Sequence, residues 1–134
     1  MKLSSKFVML SVIVFCSFTA VAQDFQPVKE IPAGKALVYI YRTSSIVGAA
    51  VSYSINANQV KVSEARLKNG TYMVYFADPG KIMFWGQVIN YRKEVTLEVE
   101  AGKTYYIKGD CCELKIPKLE KALKQIVNCE LARP

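Results

Sequence analysis

The chain has 134 residues, 18 Lys and Arg against 11 Asp and Glu, a net charge of +7 and no histidine. This length fits one domain of ordinary size. The missing histidine removes the commonest general base and metal ligand, and with them the usual Ser-His-Asp and Cys-His triads. Its basic residues are scattered and form no run, which argues against nucleic acid as a partner; a mildly basic surface suits acidic envelope polymers or simply keeps the protein dispersed.

Lys2 and Lys6 precede an apolar run from Phe7 to Phe18, and Ala20-Val21-Ala22 follows with the small-x-small pattern that signal peptidase reads. About a dozen apolar residues fall short of the ~20 that a membrane-spanning helix needs. Residues 1–22 are therefore expected to be a signal peptide, cleaved between Ala22 and Gln23. The protein is expected to be exported, periplasmic or extracellular, with no transmembrane span in its mature chain. Cys16 follows Ile13-Val14-Phe15, where an acylated cysteine needs small residues, so no lipid anchor is expected. Lys2 and Lys6 leave with the signal, which takes the net charge from +7 to +5.

Residues 23–33 read as a polar, extended and loose lead with Pro27 and Pro32. Residues 35–42, rich in β-branched and aromatic side chains, form the strongest predicted strand. Both of its faces are apolar, Ala36, Val38 and Ile40 on one and Leu37, Tyr39 and Tyr41 on the other, so it should be central or well covered. A loop is predicted over 43–50, an alternating strand with Val51, Tyr53 and Ile55 on one face, and a turn at Asn56-Ala57-Asn58. Val60 and Val62 alternate again. Asn69-Gly70 is a type I′ hairpin signal; it leads into a strand over 71–77, a turn at Asp78-Pro79-Gly80 and a strand over 82–85.

In residues 94–100, Val95, Leu97 and Val99 face inward, while Glu94, Thr96, Glu98 and Glu100 face solvent. Ala101-Gly102 then turns into a strand over 104–108. Only the C-terminus changes period: Leu119, Ala122, Leu123, Ile126 and Val127 share one helical face, opposite Lys118, Glu120, Lys121 and Lys124. Six to seven short, mostly antiparallel strands with regular turns predict an all-β fold, a β-sandwich over 34–134 closed by one short C-terminal amphipathic helix that caps an edge or face.

Little in this chain could carry chemistry. No phosphate loop, nucleophile elbow or metal-spaced cluster occurs, and no cofactor or metal is expected. Glu94, Glu98 and Glu100 lie on one strand face, but a solvated polar face explains them better than a glycosidase pair. Cys111, Cys112 and Cys129 remain after signal removal, and in an exported protein a disulfide from one of the adjacent pair to Cys129 would staple the helix to the last strand. The loop it closes would contribute roughly 3 kcal/mol in the chain-entropy model. Trp85 and Tyr91 are the candidate ligand-stacking aromatics, whereas Tyr39, Tyr41, Tyr72 and Tyr105 belong to the core or its margin.

Four segments in series resemble a bacterial exported family, domain of unknown function 2846. They are Pro32-Ala-Gly-Lys-Ala-Leu-Val-Tyr-Ile-Tyr-Arg42, Leu67-Lys-Asn-Gly-Thr-Tyr72, the Pro79-Gly80 turn and Ala101-Gly-Lys-Thr-Tyr-Tyr106. The resemblance implies an exported β-sandwich, broadly of the transthyretin or carboxypeptidase-regulatory type, and brings no catalytic residues. Two features depart from the family pattern: no lipobox cysteine is present, and Asn56-Ala57-Asn58 stands where an Asp-Gly turn is common.

The sequence therefore leads us to expect a non-catalytic module that binds an envelope protein or polysaccharide, through an open sheet edge or the 43–50 loop. The alternative is a carbohydrate-binding module that uses exposed Tyr or Trp.

Overall fold

In a computed structural model, residues 24–111 and 113–134 are described; the expected signal peptide, the expected Ala22–Gln23 cleavage site and Cys112 lie outside them. Two sheets face each other. The first runs β8 (Leu114–Lys115), β7 (Thr104–Gly109), β1 (Ala36–Tyr41), β4 (Thr71–Ala77) and β9 (Glu130–Leu131). The second runs β3 (Val60–Lys61), β2 (Asn56–Ala57), β5 (Gly80–Val88) and β6 (Tyr91–Val99). All pairs are antiparallel except β1 with β7 and β4 with β9. The expected all-β sandwich is thus the fold, and among the described residues no helix is long and apolar enough to cross a membrane.

The inner core follows the period of two. Ala36, Val38 and Ile40 of β1 meet Met73 and Ala77 of β4, Phe84 of β5, Leu97 and Val99 of β6 and Ile107 of β7. The chain changes sheet at Asp78-Pro79 and again at Ala101-Gly102, both predicted turns, so these corners close one end of the sandwich.

The other face of β1 is buried too, under a third layer. Helix α1 (Leu119–Ile126) sets Ala122 and Ile126 against Leu37, Tyr39, Tyr41 and Tyr72. Eight residues are too few for a stable helix in isolation, and no side chain caps its N-terminus; packing and the Tyr41 hydroxyl, which donates to Gln125 Oε1 at 2.8 Å, hold it in place. The face it buries is narrower than its period suggests, because Leu119, Leu123 and Val127 stay exposed.

The lead covers the rest of this layer and is not loose. Phe25 meets the rings of Tyr39 and Tyr72 edge-on at 5.4 and 5.0 Å, and the Val28 amide donates to the Tyr39 hydroxyl at 2.8 Å. The aromatic side chains beneath the lead are what fix it.

Three local expectations shift. Residues 51–55 form no strand, only an isolated bridge from Tyr53 to Leu67. Asn56 and Ala57 are paired strand residues, and the turn falls at Asn58, whose φ is +52°. At Asn69-Gly70 only Gly70 has positive φ, so the turn is not type I′, and β4 pairs instead with β1 and β9.

Candidate functional site

Loop 43–50, the 88–91 hairpin tip and the 110–113 turn gather at the end opposite the two sheet-changing corners. Their positions follow from the strands: β1 and β7 run parallel and both end here, β4 begins here, and the β5–β6 hairpin folds back here through Val88 and Tyr91.

A buried cation fixes the first loop. Arg42, only 2% exposed, continues the inward face of β1 and donates from Nη1 to the Val51 carbonyl and from Nη2 to the Gly48 carbonyl, both at 2.5 Å. Gly48 is required on two counts: its φ is +70°, and a Cβ there would lie 2.6 Å from Cys111 Cβ. The loop thereby rests directly on the 110–113 turn.

A second cation, Lys93, joins that turn to the hairpin. It points inward from β6 and is 4% exposed; Nζ donates to the Asp110 carbonyl at 2.8 Å and stands 4.7 Å from the centre of the Tyr53 ring. The Tyr53 hydroxyl donates to the same carbonyl at 2.8 Å. Tyr53 occupies a slot between two strands made possible by glycines: a Cβ on Gly86 would lie 2.7 Å from its ring, and one on Gly109 2.6 Å from its hydroxyl. The alternation that placed Val95, Leu97 and Val99 inside also places Lys93 inside, a consequence the sequence reading missed. An inward charge on a long edge strand opposes pairing with a foreign strand, and β6 already lies beside β8.

The surface above this framework is apolar. Ile46 is 97% exposed, Val47 72%, Ile89 87% and Tyr91 75%. Ile89 also has φ of +54°, a conformation that β-branched residues avoid. A hollow of about 540 Å³ opens between the hairpin tip and the turn, lined by Val88, Ile89, Tyr91, Lys93 and Cys111. The opposite end is polar instead, with ion pairs Lys35–Asp78 at 2.6 Å and Lys103–Glu100 at 2.5 Å.

The residues singled out by sequence do not converge. Tyr91 pairs with Val88 on the inner side of the second sheet, whereas Trp85 pairs with Glu94 on its outer side. Trp85 is half-buried there; its Nε1 donates to the Asn58 carbonyl at 2.7 Å, and Arg92 lies over its ring at 4.3 Å. The two aromatics therefore form no common platform. Tyr39, Tyr41 and Tyr72 are buried, as expected. Glu94 and Glu98 are exposed on the outer sheet face and Glu100 just beyond it, with Glu94 paired to Arg92 at 3.4 Å and Glu100 to Lys103.

The expected staple is not made in this structure. Cys129 carries a free thiol, 1% exposed, beneath the first sheet's outer layer, where it donates to the Arg42 carbonyl at 3.5 Å and the Gln125 carbonyl at 3.7 Å. Cys111 instead packs beneath Gly48 on the far side of residue 42. Burial pushes the Cys129 thiol up to about 11, with the Arg42 hydrogen bond and the Lys108 charge opposing it. A neutral, buried thiol is inert as a nucleophile.

No curated protein matches the chain. One family model does match, over residues 32–118, which span β1 to β8 and include the framework of Arg42, Tyr53, Lys93 and Asp110. The chain belongs to the family described as Protein of unknown function (DUF2846).

Proposed function

We propose that this protein is a non-catalytic, exported interaction module that binds a protein of the cell envelope through the loop end of its sandwich. The exposed apolar rim of Ile46, Val47, Ile89 and Tyr91 carries this reading, because it costs solubility and backbone strain and returns nothing to the core. Its support is rigid: Arg42 and Lys93 anchor the loops to the strands, which suits recognition without rearrangement. The scattered, solvated carboxylates and the inert thiol support the non-catalytic part. Trp85 and Tyr91, on opposite sheet faces, give no support to a sugar platform.

Site-specific photo-crosslinking in cells tests this reading. A photoreactive side chain at position 46 or 89 should give one discrete protein adduct, and one at Lys81 or Glu98, on the outer sheet face, should give none. Equal labelling from both surfaces, or polysaccharide adducts alone, would overturn it.

A further inference from the structure

Beside the apolar rim, loop 43–45 and the end of β7 enclose a second hollow of about 320 Å³, lined by Arg42, Thr43, Ser45, Lys108 and Asp110, with Val47 and Cys111 at its margin. Its charge is unbalanced. The Arg42 guanidinium is buried and, among the described residues, donates to two carbonyls, which leave its full positive charge in place, and no carboxylate of the described residues forms an ion pair with it. Lys108 adds a second cation at the other wall. Its ammonium is held below the ordinary lysine value by burial first, then by the charges of Lys121 and Lys115, with Asp110 and Cys129 opposing, so β7, β8 and α1 bring three like charges together.

One carboxylate, Asp110, lines the same hollow and keeps its negative charge while its Oδ1 accepts the Glu113 amide at 2.7 Å and shapes the 110–113 turn, so the lining sets two cations against one anion. Glu113 in turn draws Lys115, at 3.3 Å. Thr43 and Ser45 place two hydroxyl donors on the loop wall. Thr43 also lines a separate hollow of about 280 Å³, together with Ser44, Lys124 and Asn128.

We propose that this hollow binds a phosphate group: Lys108 supplies the charge-assisted contact, Thr43 and Ser45 donate their hydroxyls, and Arg42 acts as a fixed positive field behind them. Two phosphate sources share this chemistry, a free anion and the headgroup of an anionic lipid. The site adjoins the interaction rim but does not rest on it.

Thermal unfolding of the mature chain at pH 7 tests the site, with sodium phosphate compared against sodium chloride at matched ionic strength. Phosphate should raise Tm in a saturable way. In Lys108→Gln that increment should vanish, while its Tm in chloride stays at or above the parent's because a desolvated, mutually repelling cation is gone. Lys81→Gln, on the outer sheet face, should keep the increment. Co-sedimentation identifies the source: vesicles of phosphatidylglycerol, but not phosphatidylcholine, should retain the parent and not Lys108→Gln if the ligand is a headgroup, and a phosphate response without vesicle binding marks the free anion. Equal Tm values in the two salts, or an undiminished increment in Lys108→Gln, would overturn the proposal.

Discussion

At the residue scale, the most consequential groups are polar ones that the sheets have pulled inside. Cys129 makes a pH prediction with a definite sign. Its thiol ionises near 9.0 when unfolded and near 11 when folded, so its contribution is complete below pH 9 and is lost as pH rises towards 11. The shift corresponds to roughly 3 kcal/mol at most. Tyr41, pushed up to about 12 by burial and then by Cys129, begins to act only above its ordinary 10.0, and Lys108, held low by burial, acts in the opposite sense but is present in both the parent and Cys129→Ser. Urea denaturation between pH 9 and 10 should show the parent losing stability faster than Cys129→Ser, which keeps a donor for the same carbonyls but does not titrate. Parallel curves would show that the thiol is not buried in solution.

The Tyr53 slot gives a steric prediction. Gly86→Ala meets both the Tyr53 ring and the Ser54 carbonyl, at 3.0 Å; Gly109→Ala meets the hydroxyl and, at 2.8 Å, Leu67 Cδ2. Tyr53 cannot retreat from either without approaching the other. Each substitution should cost about 1–3 kcal/mol, read as a lower urea midpoint with unchanged slope. Ile89→Gly should act in the opposite direction. Relief of a left-handed backbone is worth roughly 1–2 kcal/mol, against about 0.5–1 kcal/mol for glycine's extra freedom when unfolded, so the variant should be modestly more stable than the parent.

At the scale of elements, the sequence was most readable where one local rule acted alone. β1 declares itself through its β-branched and aromatic composition, β6 through period two, the Asp78-Pro79-Gly80 and Ala101-Gly102 corners through turn chemistry, and α1 through its period of 3.6. What stayed hidden depends on partners distant in the chain. The β5–β6 hairpin has no glycine signal, because its tip holds Ile89 at positive φ by strand pairing. β9 is two residues long and exists only as a parallel edge to β4. The candidate site was half legible: the 43–50 loop was one of two expected binding surfaces, and the alternation along β1 and β6 already carries Arg42 and Lys93 inward, but nothing local names the distant carbonyls of Gly48, Val51 and Asp110 that they bond. The lead is the clearest tertiary effect. Phe25, Val28 and Ile31 recur every third residue, a spacing that signals neither strand nor α-helix, and all pack over the outer aromatic layer. Phe25→Ala, which removes two edge-on ring contacts, should destabilise the protein by about 2 kcal/mol in urea titration. No effect would mean that the lead is detached in solution.

At the scale of the whole molecule, three layers and two unlike ends make one asymmetric object. The corner end is trimmed with ion pairs, while the loop end keeps apolar side chains in water above buried cations. That polarity argues for recognition at one end, by loops and not by strand addition, since three of the four edge strands are only two residues long and β6 carries Lys93 inward. The most direct measurement combines both properties of the rim: with the photoreactive group at position 47, adduct yield is compared between the parent and Ile89→Gly, alongside their stabilities. The account predicts at least a tenfold loss of adduct from a variant as stable as the parent or more so, and an undiminished adduct would contradict it.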